Sequence, residues 1–253
     1  MLASAALTTR PFRPLTAQTG ATGKATLACS SCSQQWVCMP GALEPDQIER
    51  FGALVSTKRR IVRGQALYRS GDAFEYLYAV RCGAFKSVSV SRHGDEKITG
   101  FHLAGELMGL DAISAGRYGV QAVALEDSEV CAIPFAALSK MALSVPALQQ
   151  QIFRVLSSDI SRDQGLMLLL GSMSAEQRLA AFLMGLARRY QRLGFAADRF
   201  VLRMTREEIG NYLGLTLETV SRLFSRFQRD GLLSVKQRDI TLKRIDRLRE
   251  IVG

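Results

Sequence analysis

Three closely spaced cysteines are the residues of this 253-residue chain best suited to chemistry. Two residues separate Cys29 from Cys32, and five separate Cys32 from Cys38. Thiolates this close in sequence can bind one face of a metal centre, whereas an odd total of five cysteines argues against a disulfide framework. A fourth ligand must come from elsewhere in the chain, and the candidates are Cys82 and Cys131.

The spacing of the cysteines leaves the kind of centre open. Four thiolates suit zinc as well as an iron–sulfur cluster, and structural zinc is the commoner outcome for four cysteines of unknown context. Zinc has no redox chemistry, so it makes a poor sensor. A single cysteine in a strand usually only fills the core, and this is the interpretation we give Cys82.

Positive charge is concentrated in the last third of the chain. Residues 172–253 carry 16 basic and nine acidic side chains, whereas residues 44–171 are neutral overall. This distribution favours a polyanionic partner for the C-terminal end. No apolar run approaches the roughly 20 residues of a membrane-spanning helix, so we expect a cytoplasmic protein without a membrane partner.

The basic C-terminal region has the pattern of a winged helix-turn-helix. A capping box formed by Thr205 and Glu208 predicts a helix that ends at Gly214. Thr216 is placed to begin a second helix, and a hairpin over 232–242 follows it. Helix, glycine turn, helix and hairpin together predict a DNA-binding unit whose second helix enters the major groove.

The second helix of this unit presents a polar face that can read bases. Glu218, Ser221 and Arg222 lie at positions i, i+3 and i+4, so they share one side of the helix. Arginine can bind guanine with two hydrogen bonds, and glutamate can accept one from cytosine. The alternative is an ion pair within the helix, worth a few tenths of a kcal/mol. The opposite, buried face is predicted to carry Leu217, Val220, Leu223 and Phe224.

The first half of the chain predicts a β jelly roll. A helix over 44–55 is followed by short strand-like runs that glycine turns separate, a pattern typical of a roll or barrel. The predicted strands cover 65–69, 76–81, 84–90, 97–103, 121–125 and 128–133. With the helical region that follows, the fold class is α+β.

A long helix is predicted from Pro146 onward, with an apolar stripe repeating every three and four residues. This repeat is typical of a coiled-coil seam. The stripe is narrow and both its flanks are polar, which favours a dimer interface over a helix lying on the roll. The seam consists of Phe153, Leu156, Ile160, Asp163, Met167 and Leu170. A second amphipathic helix is predicted over 174–194.

Three segments of the chain resemble the CRP/FNR superfamily of transcription regulators, and most of all its fumarate–nitrate reduction regulator (FNR) branch. They are residues 97–105, 177–182 and 209–222, and the resemblance extends from Cys29 to about Leu242. It implies a cyclic-nucleotide-binding-like β-roll sensor, a long dimerisation helix and a winged helix-turn-helix. It also implies that Glu218, Ser221 and Arg222 contact a palindrome of the TTGAT-N4-ATCAA type as part of a homodimer.

The same resemblance implies the sensor chemistry. Residues 128–134 resemble the segment that supplies the distant ligand, so Cys131 would complete an oxygen-labile 4Fe-4S cluster with Cys29, Cys32 and Cys38. Oxygen would destroy the cluster, loosen the dimer and release DNA. The turn at Gly94 would lie in a surface that contacts RNA polymerase.

Cyclic nucleotide binding is not expected, although the fold resembles a nucleotide-binding domain. Nucleotide-binding members hold the phosphate with an Arg-Ser pair, and here those positions are Tyr118 and Gly119. A buried phosphate without its arginine is costly. Glu106, which follows Gly105 in the segment that nucleotide-binding members share, is interpreted as an ordinary turn or strand-edge acid.

The chain is therefore expected to be an oxygen-sensing regulator, not an enzyme, in which paired Asp163 carboxylates hold the dimer near its threshold. Two other hypotheses remain: an iron–sulfur enzyme or electron carrier, and a regulator whose thiols bind zinc or switch by a disulfide. The expected parts are a disordered tail (1–28), a cysteine segment (29–43), a β-roll domain (44–143), a dimerisation helix (144–171) and a winged helix-turn-helix domain (172–253).

Overall fold

A computed structural model describes residues 29–55, 57–91 and 93–253 of the chain. The predicted tail over 1–28 lies outside the described residues. The described part begins with two single 3₁₀ turns, Cys29–Ser31 and Met39–Ala42, and continues into helix α1 (Pro45–Leu54). Helix α1 begins with proline at its first position, where the missing N–H has no helical partner to lose.

The β roll follows α1, and within the described residues it consists of two antiparallel four-stranded sheets. One sheet has the strand order β1-β8-β3-β6 and the other β2-β7-β4-β5, which confirms the predicted α+β class. A helical turn, α2 (Ala112–Ala115), lies between β6 and β7. The strands are β1 (Thr57–Ile61), β2 (Ala66–Tyr68), β3 (Tyr76–Cys82), β4 (Ala84–Val90), β5 (Glu96–Leu103), β6 (Leu107–Met108), β7 (Gln121–Ala124) and β8 (Ser128–Pro134).

Tyrosine rings fill much of the space between the two sheets. Tyr68 stacks on Tyr118 with 3.9 Å between ring centroids, and Tyr78 lies 5.7 Å from Tyr68. The Tyr118 hydroxyl donates a hydrogen bond of 2.7 Å to the backbone oxygen of Tyr76. Because a buried tyrosine needs a partner for its hydroxyl, this bond fixes the ring that closes the stack.

Two helices leave the roll and cover the outer face of the sheet that contains β3 and β8. They are α3 (Phe135–Ser144), which the sequence did not predict, and α4 (Pro146–Ser172). Leu138 and Leu148 are fully buried in the core beneath these helices. Helix α3 follows β8 directly, with Pro134 in the capping position and no side-chain cap, so it lacks the usual signal for a helix start.

The C-terminal region contains the predicted helix-turn-helix and hairpin. Ser174 accepts a hydrogen bond from the Gln177 N–H, and together they cap the first helix of this region with a capping box. The hairpin pairs with an additional strand, in the order β10-β11-β9. The elements are α5 (Ala175–Arg192), β9 (Arg199–Val201), α6 (Arg206–Leu213), α7 (Leu217–Arg229), β10 (Leu233–Lys236), β11 (Asp239–Leu242) and α8 (Ile245–Val252).

A continuous apolar core joins the roll to the C-terminal region. Phe101 on β5 lies 5.1 Å from the ring of Tyr212 on α6 and 6.0 Å from Phe182 on α5. Asn211 on α6 binds the backbone of β5, since its side-chain oxygen accepts a hydrogen bond of 2.7 Å from the Ile98 N–H. Helix α6 therefore has a fixed position on the sensor sheet.

A histidine is buried in the roll close to this junction. His102 shares a hydrogen bond of 2.7 Å between its Nε2 and the Ser87 hydroxyl. Burial lowers the pKa of His102 to about 3. The cations of Arg162 and Arg189 act in the same direction, and Glu106 opposes them. The imidazole is therefore neutral in the folded chain throughout the physiological range.

We predict that His102 makes the stability of the chain fall as the pH decreases from about 6.5 towards 3. The unfolded state binds a proton at the ordinary histidine pKa, and the folded state does not, so stability declines by about 1.4 kcal/mol per pH unit. His102→Gln removes this contribution. Urea unfolding between pH 7.5 and 4.5 measures it. His93→Gln, at the only other histidine, keeps the parental slope; equal slopes for the parent and His102→Gln contradict the prediction.

Candidate metal centre and nucleic-acid interface

The cysteine segment is wound into consecutive tight turns. The Cys32 N–H donates to the oxygen of Cys29 at 3.1 Å, and the Cys38 N–H donates to the oxygen of Gln34 at 3.0 Å. At Gly41 a side chain has no room, since a Cβ would lie 2.7 Å from the oxygen of Trp36. The turns therefore hold three thiols within a short, compact stretch of backbone.

The distant cysteine meets this segment on the outer face of the roll. Cys131 lies in β8, opposite Lys58 on β1 and Ala79 on β3. Cys29, Cys38 and Cys131 all pack against the same apolar cluster, the one covered by α1, α3 and α4. The structure thus brings together residues that are far apart in the sequence.

The four thiols influence one another electrostatically. Burial raises the pKa of the Cys38 thiol to about 12, and the thiols of Cys131, Cys29 and Cys32 act in the same direction. Burial raises the pKa of Cys131 to about 11, and Cys29 and Cys32 again add to the increase. Negative charge on a neighbouring thiol thus opposes ionisation at Cys38 and at Cys131, as like charges must.

Two cations stand next to the thiols. Arg81 and Lys58 both favour the thiolate forms of Cys29 and Cys131, against the effect of burial. Arg81 is itself held by an ion pair with Glu129. These side chains were not singled out in the sequence, because only the pairing of β1 and β3 with β8 places them beside Cys131.

The thiols do not converge on a single point in this structure. Within residues 29–55, 57–91 and 93–253, no group of three or more histidine, cysteine or acidic side chains has a metal-binding arrangement. The number, proximity and neighbouring cations of the four thiols fit a thiolate-ligated centre. Cys82 differs from these cysteines, because no thiol of the described residues is among the main influences on its pKa. Burial raises the pKa of its thiol, and the nearby carboxylate of Glu129 raises it further.

The helix-turn-helix has the predicted local geometry. Gly214 ends α6 with φ of +65°, and the Thr216 hydroxyl accepts from the Thr219 N–H at 3.2 Å to cap α7. Val220 and Phe224 are buried against the core of the region, as predicted. Leu217 is a correction, since it is 47% exposed: it begins α7, one turn before the buried face starts.

The polar face of α7 is open to solvent. Glu218, Ser221 and Arg222 are all exposed. Among the ion pairs of the described residues none joins Glu218 to Arg222, so the structure does not favour the alternative of a pair within the helix. Three polar side chains on an exposed, capped helix in a basic region suit recognition of base edges.

A single arginine ties this interface to the long helix α4. The guanidinium of Arg178 on α5 donates to the backbone oxygen of Leu170 at 2.8 Å and of Met173 at 2.9 Å, where α4 ends. It also donates to the oxygen of Leu213, the last residue of α6, at 3.1 Å. Carbonyls at a helix C-terminus have no partner within the helix, and a cation there is favourable.

The predicted seam on α4 is largely uncovered in the single chain. Phe153, Ile160 and Met167 are 60%, 57% and 67% exposed, and Asp163 is also exposed. Leu156 and Leu170 are half-buried. Ile152 and Val155, on another side of α4, pack against the sensor core instead. An exposed apolar row of this kind on a soluble helix indicates a partner surface.

Comparison with known proteins identifies the family. A Crp-like helix-turn-helix domain matches residues 177–251, and a cyclic nucleotide-binding domain matches residues 58–144. The chain is 45% identical over 231 residues to the fumarate and nitrate reduction regulatory protein of Escherichia coli K12, covering 91% of this chain and 92% of that protein. The chain belongs to the CRP/FNR family of transcription regulators. As a family member it is a DNA-binding regulator and not an enzyme.

Two further relatives agree with membership of the CRP/FNR family. The transcriptional regulatory protein btr of Bordetella pertussis is 46% identical over 225 residues, with 89% of this chain and 93% of that protein covered. The solved structure of FixK2 from Bradyrhizobium japonicum superimposes with a TM-score of 0.72 at 32% identity, covering 79% of this chain and 98% of that one.

The described helices include none that is both long enough and apolar enough to cross a membrane.

One residue of the roll has a different role from the one predicted. Glu106, interpreted as a turn or strand-edge acid, is a buried partner of Arg189 on α5, with 2.8 Å between its Oε1 and Nε of the arginine. The sequence around Glu106 contains no sign of this pair, because Arg189 lies in the other domain.

We predict that Arg178→Lys lowers the free energy of unfolding by about 1–3 kcal/mol, because a compact ammonium cannot reach carbonyls on two helices at once. Arg188→Lys, an exposed change on the same helix, alters it by less than about 0.5 kcal/mol. Thermal and urea unfolding of the C-terminal region measure both. A loss of stability no larger in Arg178→Lys than in Arg188→Lys contradicts the prediction.

Proposed function

We propose that this protein is an oxygen-sensing global transcription regulator of the cytoplasm that holds a 4Fe-4S cluster when oxygen is absent. Its ligands would be Cys29, Cys32, Cys38 and Cys131. The observation that carries the proposal is the packing of Cys131 with Cys29 and Cys38 against one apolar cluster on the roll. The relatives named for fumarate and nitrate reduction support the assignment to anaerobic genes.

The cluster would supply redox chemistry, which zinc does not have, and oxygen would destroy it. The residues of the chain set its environment. Arg81 and Lys58 would offset the negative charge of the Cys29 and Cys131 thiolates. Trp36 and Val37 lie between two of the ligands. Trp36 is 82% exposed and covers little, whereas Val37 is half-buried and would shield the site from solvent and oxygen.

Dimerisation would use the seam Phe153, Leu156, Ile160, Asp163, Met167 and Leu170. A two-fold dimer would place one recognition helix on each half of a palindrome. A palindromic TTGAT-N4-ATCAA site and a dimer seam on α4 therefore imply the same symmetry. Glu218, Ser221 and Arg222 would contact the bases. In a parallel pair, the two Asp163 carboxylates face each other and weaken association, which makes the dimer sensitive to the state of the sensor.

Activation would involve RNA polymerase at the β4–β5 turn. The Ser91 hydroxyl accepts from the Asp95 N–H at 3.1 Å, and the Ser91 N–H donates to the Asp95 oxygen at 2.9 Å. Gly94 has φ of +87° with no atom within 4 Å of a side chain placed there, so this residue is open to a partner. Repression is expected where the operator overlaps a promoter.

No cyclic nucleotide is expected in the roll. Tyr118, at the position of the arginine in nucleotide-binding members, is buried and stacked on Tyr68. The N–H of Gly119 donates to the carboxylate of Asp111 at 2.8 Å. A phosphate placed at this turn would meet a negative charge already in position.

The decisive experiment is anaerobic purification followed by iron and zinc analysis and operator binding, before and after exposure to air. We expect four iron atoms per chain, the number in one such cluster, and operator binding that air abolishes. Cys131→Ser is expected to lose the iron, whereas Cys82→Ser, the matched control, retains it. Zinc in place of iron, or operator binding that is insensitive to air, overturns the proposal and favours the alternative thiol regulators.

We predict that Asp163→Ala allows dimerisation and operator binding without the cluster, because it removes the repulsion between the two carboxylates. The dimer dissociation constant of the air-treated chain should fall by at least about tenfold, or roughly 1.4 kcal/mol. Sedimentation and operator titration measure this. Gln164→Ala, an exposed neighbour outside the seam, leaves both unchanged. If Asp163→Ala stays monomeric in air and does not bind the operator, Asp163 is not the brake.

A further inference from the structure

Val37 in the cysteine loop rests directly on a turn of the roll. Gly105, between β5 and β6, has φ of +83°, and a Cβ at this position would lie 2.3 Å from Cγ2 of Val37. No side chain fits between the loop and the turn. Val37 immediately precedes Cys38. A displacement of the backbone at Cys38 therefore moves Val37 towards the Gly105 turn or away from it.

Glu106, the next residue of the turn, forms an ion pair with the DNA-binding domain. The carboxylate of Glu106 accepts from Nε and Nη2 of Arg189 at 2.8 and 2.5 Å, and from the Leu103 N–H at 3.0 Å. Arg189 also donates to the oxygen of Phe101. The two side chains are only 20% and 15% exposed. A bidentate, largely buried ion pair of this kind tolerates little displacement. A shift that separates the two side chains leaves both charges without a partner and without solvent.

Arg189 belongs to the helix on which the whole DNA-binding domain is assembled. Leu179, Leu183 and Leu186 of α5 are buried in the core shared with α6 and α7. Arg178, on the same helix, ties the ends of α4 and α6. A movement of α5 relative to the roll therefore changes the position of the recognition helix.

A cavity beside these contacts leaves room for such a movement. Its volume is about 420 Å³, and it lies between the cysteine loop, the Gly105 turn, α4 and α5. Trp36, Val37, Glu106 and Arg189 are among the residues that line it. Packed protein interiors resist displacement, so a space of this size at this junction permits the loop and the helix to shift relative to each other.

We propose that Val37, Gly105, Glu106 and Arg189 form a relay that transmits the state of the cysteine segment to the DNA-binding domain within one chain. The relay rests on the proposed function, because it assumes that the state of the cysteine segment changes with oxygen. It acts in addition to the dimer seam, which none of its four residues belongs to. Glu106 and Arg189 are positioning residues, since neither contacts DNA nor supplies a thiol.

The main test replaces both members of the ion pair at once. Glu106→Gln keeps the size of that side chain, Arg189→Gln shortens the other, and the double variant leaves no single buried charge. We expect iron content and dimerisation like those of the parent. The ratio of operator affinities before and after air exposure should decrease by at least about tenfold, a typical size for coupling between sites. A thermal melt confirms that the variant is folded.

The matched control breaks a different ion pair between the same two domains. Arg203 pairs with Glu126, and neither residue lines the cavity beside the cysteine loop. Glu126→Gln/Arg203→Gln should therefore retain the parental dependence on air. If both double variants lose it equally, the effect reflects loosened domains in general, and the relay is wrong.

A second variant tests the loop contact. Gly105→Ala forces Val37 away, whereas Gly64→Ala, with a similar φ of +80° and no atom within 4 Å, adds only the backbone strain. Trp36 is the only tryptophan, so its fluorescence reports on the loop. We expect Gly105→Ala, but not Gly64→Ala, to shift the emission maximum of the cluster-free chain and to change the operator affinity of the anaerobic, iron-loaded chain. An unchanged emission and affinity contradict the relay.

The failures of the two proposals are distinguishable. If the parent chain contains no iron, or binds its operator equally well in air, the proposed function fails and the relay fails with it. If the parent responds to air and Glu106→Gln/Arg189→Gln responds to the same extent, with normal iron and dimerisation, only the relay is overturned.

Discussion

The structure depends on the burial of one face of the β4–β5 hairpin beneath the DNA-binding domain. Ile98 and Phe101 on the hairpin are buried in a core that they share with α5 and α6, and burial of apolar area is the main stabilising contribution at such a junction. Asn211 and the ion pair between Lys86 and Glu208 set its register. The DNA-binding domain is therefore not attached to the roll by a flexible linker alone, and this contact limits its movement relative to the roll.

Charge is arranged around that apolar junction so that small displacements have large effects. The side chains of Glu106 and Arg189 are largely removed from water. Charges in such places are stable only with their partners in position. The long helix α4 has the opposite character, since its apolar row is exposed to solvent. The chain thus has a tightly packed contact between its own two domains and an exposed apolar row on α4.

The sequence predicted the elements whose signals are local. Strands such as β4 are bounded by glycine turns, and α7 has a threonine cap, so both were located closely. Strand β1 was missed because Thr57–Ile61 is an edge strand with an exposed, charged sequence. The partnership of Glu106 was missed because it is decided by tertiary contact with the other domain. Cys131 was placed with the other cysteines by resemblance, since spacing alone did not separate it from Cys82.

The tyrosine stack inside the roll has a consequence for the cell. The stacked rings of Tyr68 and Tyr118 are buried in the core of the roll. A roll whose interior is filled by its own side chains leaves little room there for a small molecule. A signal received on the outer face of such a roll is independent of metabolite concentrations. Exchanging an inner ligand for an outer one allows one scaffold to serve separate signalling circuits without cross-talk.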